Sequence, residues 1–236
     1  MKGLYWIVTV LFLFGCKEQE KKKEPKEVKQ TNTVKLQIDS LKRVAQLGDL
    51  VLRLGDDMLS YSIRFLSEQD KSFSHSGIIA EHNGEKVVCH IYPHENDADT
   101  IQYEPIDTFI NPLKNVQCGL YRYDLSSSEQ GDFFSQIDVY RKKKVHFDRL
   151  YDLRTGDKLY CTEMIAKALA ASTHNRIHIK ETYLPKAMLP MMYNYFKNEK
   201  ASHEEIAARK YIAIDNLYLN PNCKQVMKFA LRPPSQ

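Results

Sequence analysis

The chain has no paired CxxC motif, no internal repeat and no concentrated basic face, and each absence removes a class of function. Its five cysteines in 236 residues are too scattered for a zinc ribbon or a disulfide-dense scaffold, so each is judged alone. The formal charge is +4, but residues 1–35 hold eight Lys and four Glu, which leaves 26 basic and 26 acidic side chains on the other 201 residues. A neutral body with one short "RKKK" run at 141–144, read as a solvated helix face, lacks what a duplex-binding protein uses to replace phosphate counterions, so no nucleic-acid partner is expected. No apolar run reaches the length of a membrane span. The uncharged stretch between Lys2 and Cys16 is too short at ~1.5 Å per residue and has the proportions of a secretory signal.

A chain that is 43% hydrophobic and 11% aromatic can bury the core of one domain. At its start, "LFGC" resembles the lipobox of bacterial lipoproteins, in which Cys16 would be lipidated after cleavage. The following "KEQEKKKEPKEVKQTNTVK" is charged and has no aromatics, as in a disordered tether. The expected order is a lipoprotein signal over 1–16, a tether over 17–35 and one domain over 36–236. This places the protein on the periplasmic side of a bacterial membrane, as a lipoprotein of the outer membrane.

Within the domain, "LQIDSLKRVAQLG" puts Ile38, Leu41, Val44 and Ala45 on one helical face and stops at Gly48. "DLVLRL" reads as a strand, and "DDMLSYSIRFLSE" as a capped helix with Leu59, Ile63 and Leu66 at helical spacing. A strand over 116–124, a helix over 129–150 and a buried helix in "CTEMIAKALAAS" follow. The C-terminal third reads as a helix, irregular cover and a last strand. Mixed elements with antiparallel hairpins give an α+β domain.

Asn83-Gly84 is a strong type I′ hairpin signal, because both central residues of that turn need positive φ. A two-residue turn there pairs residues whose numbers add to 167, which sets Gly77 opposite His90 and His75 opposite Tyr92. His75 and His90 then share a face as diagonal neighbours, with Cβ atoms roughly 7 to 8 Å apart. Cys161 stands where the polar "DLRTGDKL" meets the apolar helix. A helix N-terminus there would favour a thiolate and offer N–H donors to an oxyanion, with a histidine as base and a second polar group holding its ring. The alternative is a buried, inert thiol. Cys89 falls on the face opposite His90 as a small core residue, and a Cys89–Cys118 disulfide stays open. A zinc site from His90, His94 and Glu95, helped by His75 or His82, is disfavoured because Pro93 breaks helical spacing; no metal and no cofactor are expected.

"SHSGIIAEHNG", the strand after it, "YCTEMIAKAL" and the opening "GDLVLRLGDD" resemble the permuted papain-like amidases of the YaeF/YiiX type, relatives of the NlpC cell-wall peptidases. The resemblance runs from about Gly48 to about Ala171. It implies a circularly permuted papain-like fold, an antiparallel sheet packed on a central helix bearing the Cys. It also implies Cys161 as nucleophile, His75 as base, His90 as the orienting group, and Tyr160 and Glu163 as substrate-binding or site-supporting residues. Many relatives carry Glu where this chain has His90, and a His there resembles the lecithin:retinol acyltransferase branch. The implied substrate is therefore an amide in cell-wall peptides, with an acyl lipid as the alternative. A non-catalytic lipoprotein binding peptide or lipid in the same cleft is the reading from a different class.

Overall fold

The computed structural model describes residues 26–93, 100–197 and 201–232. Helix α1 (Lys26–Val44) begins inside the stretch expected to be a tether, so residues 26–35 are helical. Lys, Glu and Gln have unbranched side chains that lose little freedom in a helix, and the buried Val34 and Leu41 anchor its far half to the core. Val44, expected on the buried face, is 42% exposed. The signal segment and Cys16 lie outside the described residues, as do His94 and Glu95.

Strand β1 (Leu50–Gly55) follows Gly48, whose φ of +86° turns the chain into the sheet. Asp49 is buried and takes a bidentate contact from Arg122, Nε to Oδ1 at 2.6 Å and Nη2 to Oδ2 at 2.8 Å. This charge-assisted fork ties the mouth of β1 to its neighbouring strand. Next come α2 (Met58–Ile63), capped by the Asp57 carboxylate accepting from the Ser60 N–H, then β2 (His75–His82), β3 (Glu85–Ile91), β4 (Ile101–Pro105) and α3 (Ile106–Phe109). After β5 (Asn115–Tyr123), α4 covers Ser127–Lys142, shorter than the expected 129–150 helix because the chain leaves at Lys144 with φ +50°. A short parallel pair, β6 (His146–Phe147) and β7 (Lys158–Leu159), precedes α5 (Cys161–Ser172). The C-terminal third holds β8 (Thr182–Tyr183), α6 (Leu189–Tyr195), α7 (His203–Ala207), β9 (Lys210–Tyr211), α8 (Ile214–Tyr218) and β10 (Cys223–Ala230).

The main sheet is antiparallel throughout, in the order β10-β5-β1-β2-β3-β4. The β2–β3 register runs from Ile78 opposite Cys89 to His82 opposite Glu85, and both turn residues have positive φ, Asn83 at 53° and Gly84 at 79°. The sum of 167 therefore holds along the pair. Helices cover both faces, which is why β1 is buried along almost its whole length instead of alternating. On one face Leu50, Leu52, Ile78 and Cys89 pack with Met164, Ile165 and Leu169 of α5. On the other, Val51, Ile79, Val88 and Cys118 pack with Leu41 of α1 and Phe109 of α3. Cys89 and Cys118 belong to opposite faces and both are free thiols, so they do not pair. The domain is α+β, a mostly antiparallel sheet with the helix bearing Cys161 against it.

Candidate active site

One end of the sheet opens into a cleft. The last residues of β1 and β3 and the first of β2 and β5 meet there, and Gly55, His75, Asn115 and Tyr92 all line a cavity of about 360 Å³. The tip of α5 closes its floor: Tyr160, Cys161 and Thr162 line the same cavity, as does His90. Of the five residues predicted for the site, Cys161, His75, His90 and Tyr160 thus converge on one cleft. Glu163 does not line it.

Cys161 is the first residue of α5 and is buried. Burial raises its thiol pKa, while the Ser76 hydroxyl and the backbone N–H groups of Ser76, Thr162 and Cys161 itself pull the other way. The N–H groups act as a helix terminus should, but desolvation outweighs them, so the resting group is a neutral thiol. Cys89 lacks such donors and is pushed up to about 12 by burial.

His75 and His90 are 7% and 4% exposed. Nε2 of His75 lies 2.9 Å from Nδ1 of His90, with the ring centroids 5.1 Å apart and edge-on. Burial first, then the charge of Arg53, then His90, hold His75 well below the ordinary imidazole pKa. The His75 imidazole is therefore neutral at pH 7; it lines the same cavity as Cys161 from the Phe109 face of the sheet, while its neighbour Ser76 is the residue that bonds the thiol.

Three further residues complete this surface. Arg53 pairs directly with His75 across β1 and β2, and its guanidinium carbon sits 4.6 Å above the Phe109 ring while Nη1 donates to the Phe109 carbonyl at 3.1 Å. Glu104 on β4 brings Oε2 within 3.4 Å of His90 Nε2. Phe109 supports both histidines, with centroids 5.6 Å from His75 and 5.2 Å from His90. Arg53, His75, His90 and Glu104 thus stand on four adjacent strands and share one face. Glu104 and Phe109 belong to no recognisable motif, while Arg53 falls within the opening "GDLVLRLGDD" segment. Arg53 alone had a readable signal, as the residue that breaks an apolar strand.

The two remaining predicted residues hold the helix tip. The Tyr160 hydroxyl accepts from the Ile212 N–H at 2.7 Å, and the Thr162 hydroxyl donates to the Ile212 carbonyl at 2.7 Å, so both flanks of Cys161 are pinned to one backbone unit. Glu163 is fully buried, accepts from the Tyr160 N–H at 3.3 Å and pairs with Lys167 Nζ at 2.6 Å. Desolvation raises its pKa to about 7, partly offset by Lys167.

The cleft continues as an apolar groove. Leu59, Ile63 and Leu66, predicted as a helix's inner face, line it and a neighbouring cavity of about 320 Å³ to which Met191 and Met192 of α6 contribute. Met58, at this second cavity, is 87% exposed.

The chain shares its fold with YiiX. The crystal structure of that metalloprotein from Escherichia coli O157:H7 superposes with a TM-score of 0.60 at 15% sequence identity, covering 78% of this chain and 98% of YiiX. No protein-family model matches the chain, and no curated protein does. Among the described residues, no three His, Cys, Asp or Glu side chains lie close enough together to hold a metal ion, and the nitrogen-to-nitrogen contact commits one nitrogen of each histidine to the other ring. No step below runs through a metal.

Proposed function

We propose that the chain is an extracytoplasmic cysteine hydrolase that opens an amide or ester bond through a thioester, on a permuted papain-like fold. The observation that carries this reading is the cleft shared by Cys161 at a helix tip and the mutually bonded His75 and His90. His75 takes the thiol proton as the sulfur attacks the carbonyl carbon, and the N–H groups that bond the resting sulfur turn to the oxyanion as it forms. The same ring returns that proton to the leaving amine or alcohol. Water then attacks the thioester with His75 as base, releasing the acid and restoring the thiol. His90 holds the His75 ring in one orientation throughout.

Two substrate classes follow from different observations. The resemblance to YaeF/YiiX-type amidases points to amides of cell-wall peptides, which a periplasmic enzyme anchored through Cys16 would meet. The groove of Leu59, Ile63, Leu66, Met191 and Met192 favours a substrate with a long apolar acyl group. Incubation with purified muropeptides in one arm and phospholipids in the other, followed by product analysis, separates them. Wild type should release product in one arm and Cys161→Ala in neither. Equal release by Cys161→Ala would remove the nucleophile, and binding without turnover in the wild type would leave a peptide- or lipid-binding lipoprotein. For the anchor, Cys16→Ser should move the protein from membrane to soluble fraction, and unchanged partitioning would refute lipidation.

A further inference from the structure

We propose that Glu104 is a positioning residue of this site, which through His90 fixes the tautomer of His75 and receives the positive charge that forms when the thiol is deprotonated. The inference rests on the reading of Cys161 and His75 given above. A carboxylate can only accept, so when the 3.4 Å approach of Glu104 Oε2 to His90 Nε2, an ion-pair distance in this structure, closes to a hydrogen bond, the single proton of neutral His90 is held on that nitrogen. His90 Nδ1 is then an acceptor, and the 2.9 Å contact requires His75 Nε2 to be the donor. The unprotonated nitrogen of His75 is consequently Nδ1, and Nδ1 is the atom able to take a proton. With the opposite tautomers His90 would donate from Nδ1, His75 would carry its proton on Nδ1, and the base would be blocked. Nothing in the two rings alone chooses between these states.

The charges at the ends of the row also differ. Arg53 flanks His75, and Glu104 flanks His90. Burial opposes ionisation of Glu104, but the His90 contact, with Arg53 and Lys114, outweighs it and keeps the carboxylate charged at neutral pH. When the S–H bond of Cys161 breaks, its proton forms an N–H bond at His75 Nδ1. The Nε2 proton of His75 can then move to His90 Nδ1, so that one positive charge leaves the side of Arg53 and settles beside Glu104. Among the described residues, the rings of Tyr92 and Phe109 and, across from His90 on β4, Gln102 also face the pair.

The test is alkylation of Cys161 by iodoacetamide across pH in the full chain, read by peptide mass mapping, together with nitrogen NMR of the two imidazoles. Glu104→Gln keeps the shape but can donate to His90, so alkylation should slow by about tenfold or more and its midpoint should move to higher pH. Glu104→Asp should recover part of the rate, and His90 in the wild type should carry its proton on Nε2. Wild-type rate and midpoint in Glu104→Gln, or a wild-type His90 protonated on Nδ1, would overturn the assignment. His75→Ala distinguishes the levels: a slow His75→Ala beside an unaffected Glu104→Gln removes Glu104 alone, whereas an unaffected His75→Ala removes the thiol-base reading and this inference with it.

Discussion

At the turn end of the β2–β3 hairpin, His82 stands exposed against Tyr103, the rings 4.4 Å apart and 7° from parallel. At the open end, His75 and His90 are buried, edge-on and bonded nitrogen to nitrogen. The residue type is the same and the strands are the same. What differs is desolvation and a fixed set of neighbours, Arg53, Glu104 and Phe109, at one end, against water and a single ring at the other. A histidine becomes a base of chosen tautomer only where low dielectric and a second polar partner act together. The sequence places histidines at both ends, two at the open end and one beside the turn.

The largest contrast should appear in the chemistry. His75→Ala is expected to slow Cys161 alkylation or substrate turnover by about 100-fold or more, within the usual range for a general base, while His82→Ala leaves both unchanged. Equal losses in the two variants would erase the distinction between the ends.

The hairpin's two glycines offer a second contrast. A Cβ on Gly77 would sit 2.4 Å from Val88 Cγ1 and 3.2 Å from His90 Cβ, so Gly77→Ala should cost about 1–3 kcal/mol and displace His90. At Gly84 a Cβ meets nothing within 4 Å and only the φ of +79° is strained, so Gly84→Ala should cost about 1 kcal/mol and leave alkylation intact. Denaturant unfolding and the alkylation rate, measured on both variants, separate the two effects.

A third contrast lies in pH. Folded His75 is held well below 6.5 by burial, Arg53 and His90, whereas the unfolded ring takes a proton as pH falls through about 6.5. The unfolded state binds more protons, so the stability present above pH 6.5 is lost on acidification. Between pH 6.5 and 5.5 the wild type should lose about 1 kcal/mol more than His75→Gln, by denaturant unfolding at each pH. Identical pH slopes would mean that the folded ring titrates as the unfolded one does, and a relative gain on acidification that it is already protonated. The smallest effect is that of His82→Ala on stability, within about 0.5 kcal/mol.

Much of the frame was legible from the chain. The Asn83-Gly84 turn fixed the β2–β3 register, because a two-residue loop with two positive φ values leaves no other pairing, and the change from a polar loop to an apolar run located the start of α5 at Cys161. Less could be read where the partner is remote in sequence. Glu104 sits on a five-residue strand whose pairing no local turn announces, and Phe109 is one apolar residue in a single helical turn. The resemblance implies Glu163 at the site, but it does not say that a carboxylate three residues past the N-cap turns back to the Tyr160 N–H and to Lys167. The start of α1 was missed because a charged segment without aromatics is compatible with both a tether and an exposed helix, and only the docking of Val34 and Leu41 decides between them.

The central claim is that Cys161 carries the acyl group between the two halves of the reaction. Acid quenching of the full chain during turnover of an activated acyl ester, with peptide mass mapping of the trapped adduct, tests it most directly. The account predicts one acyl group on Cys161, released by hydroxylamine and missing from Cys161→Ala. An adduct on another residue, or undiminished turnover in Cys161→Ala, would contradict it.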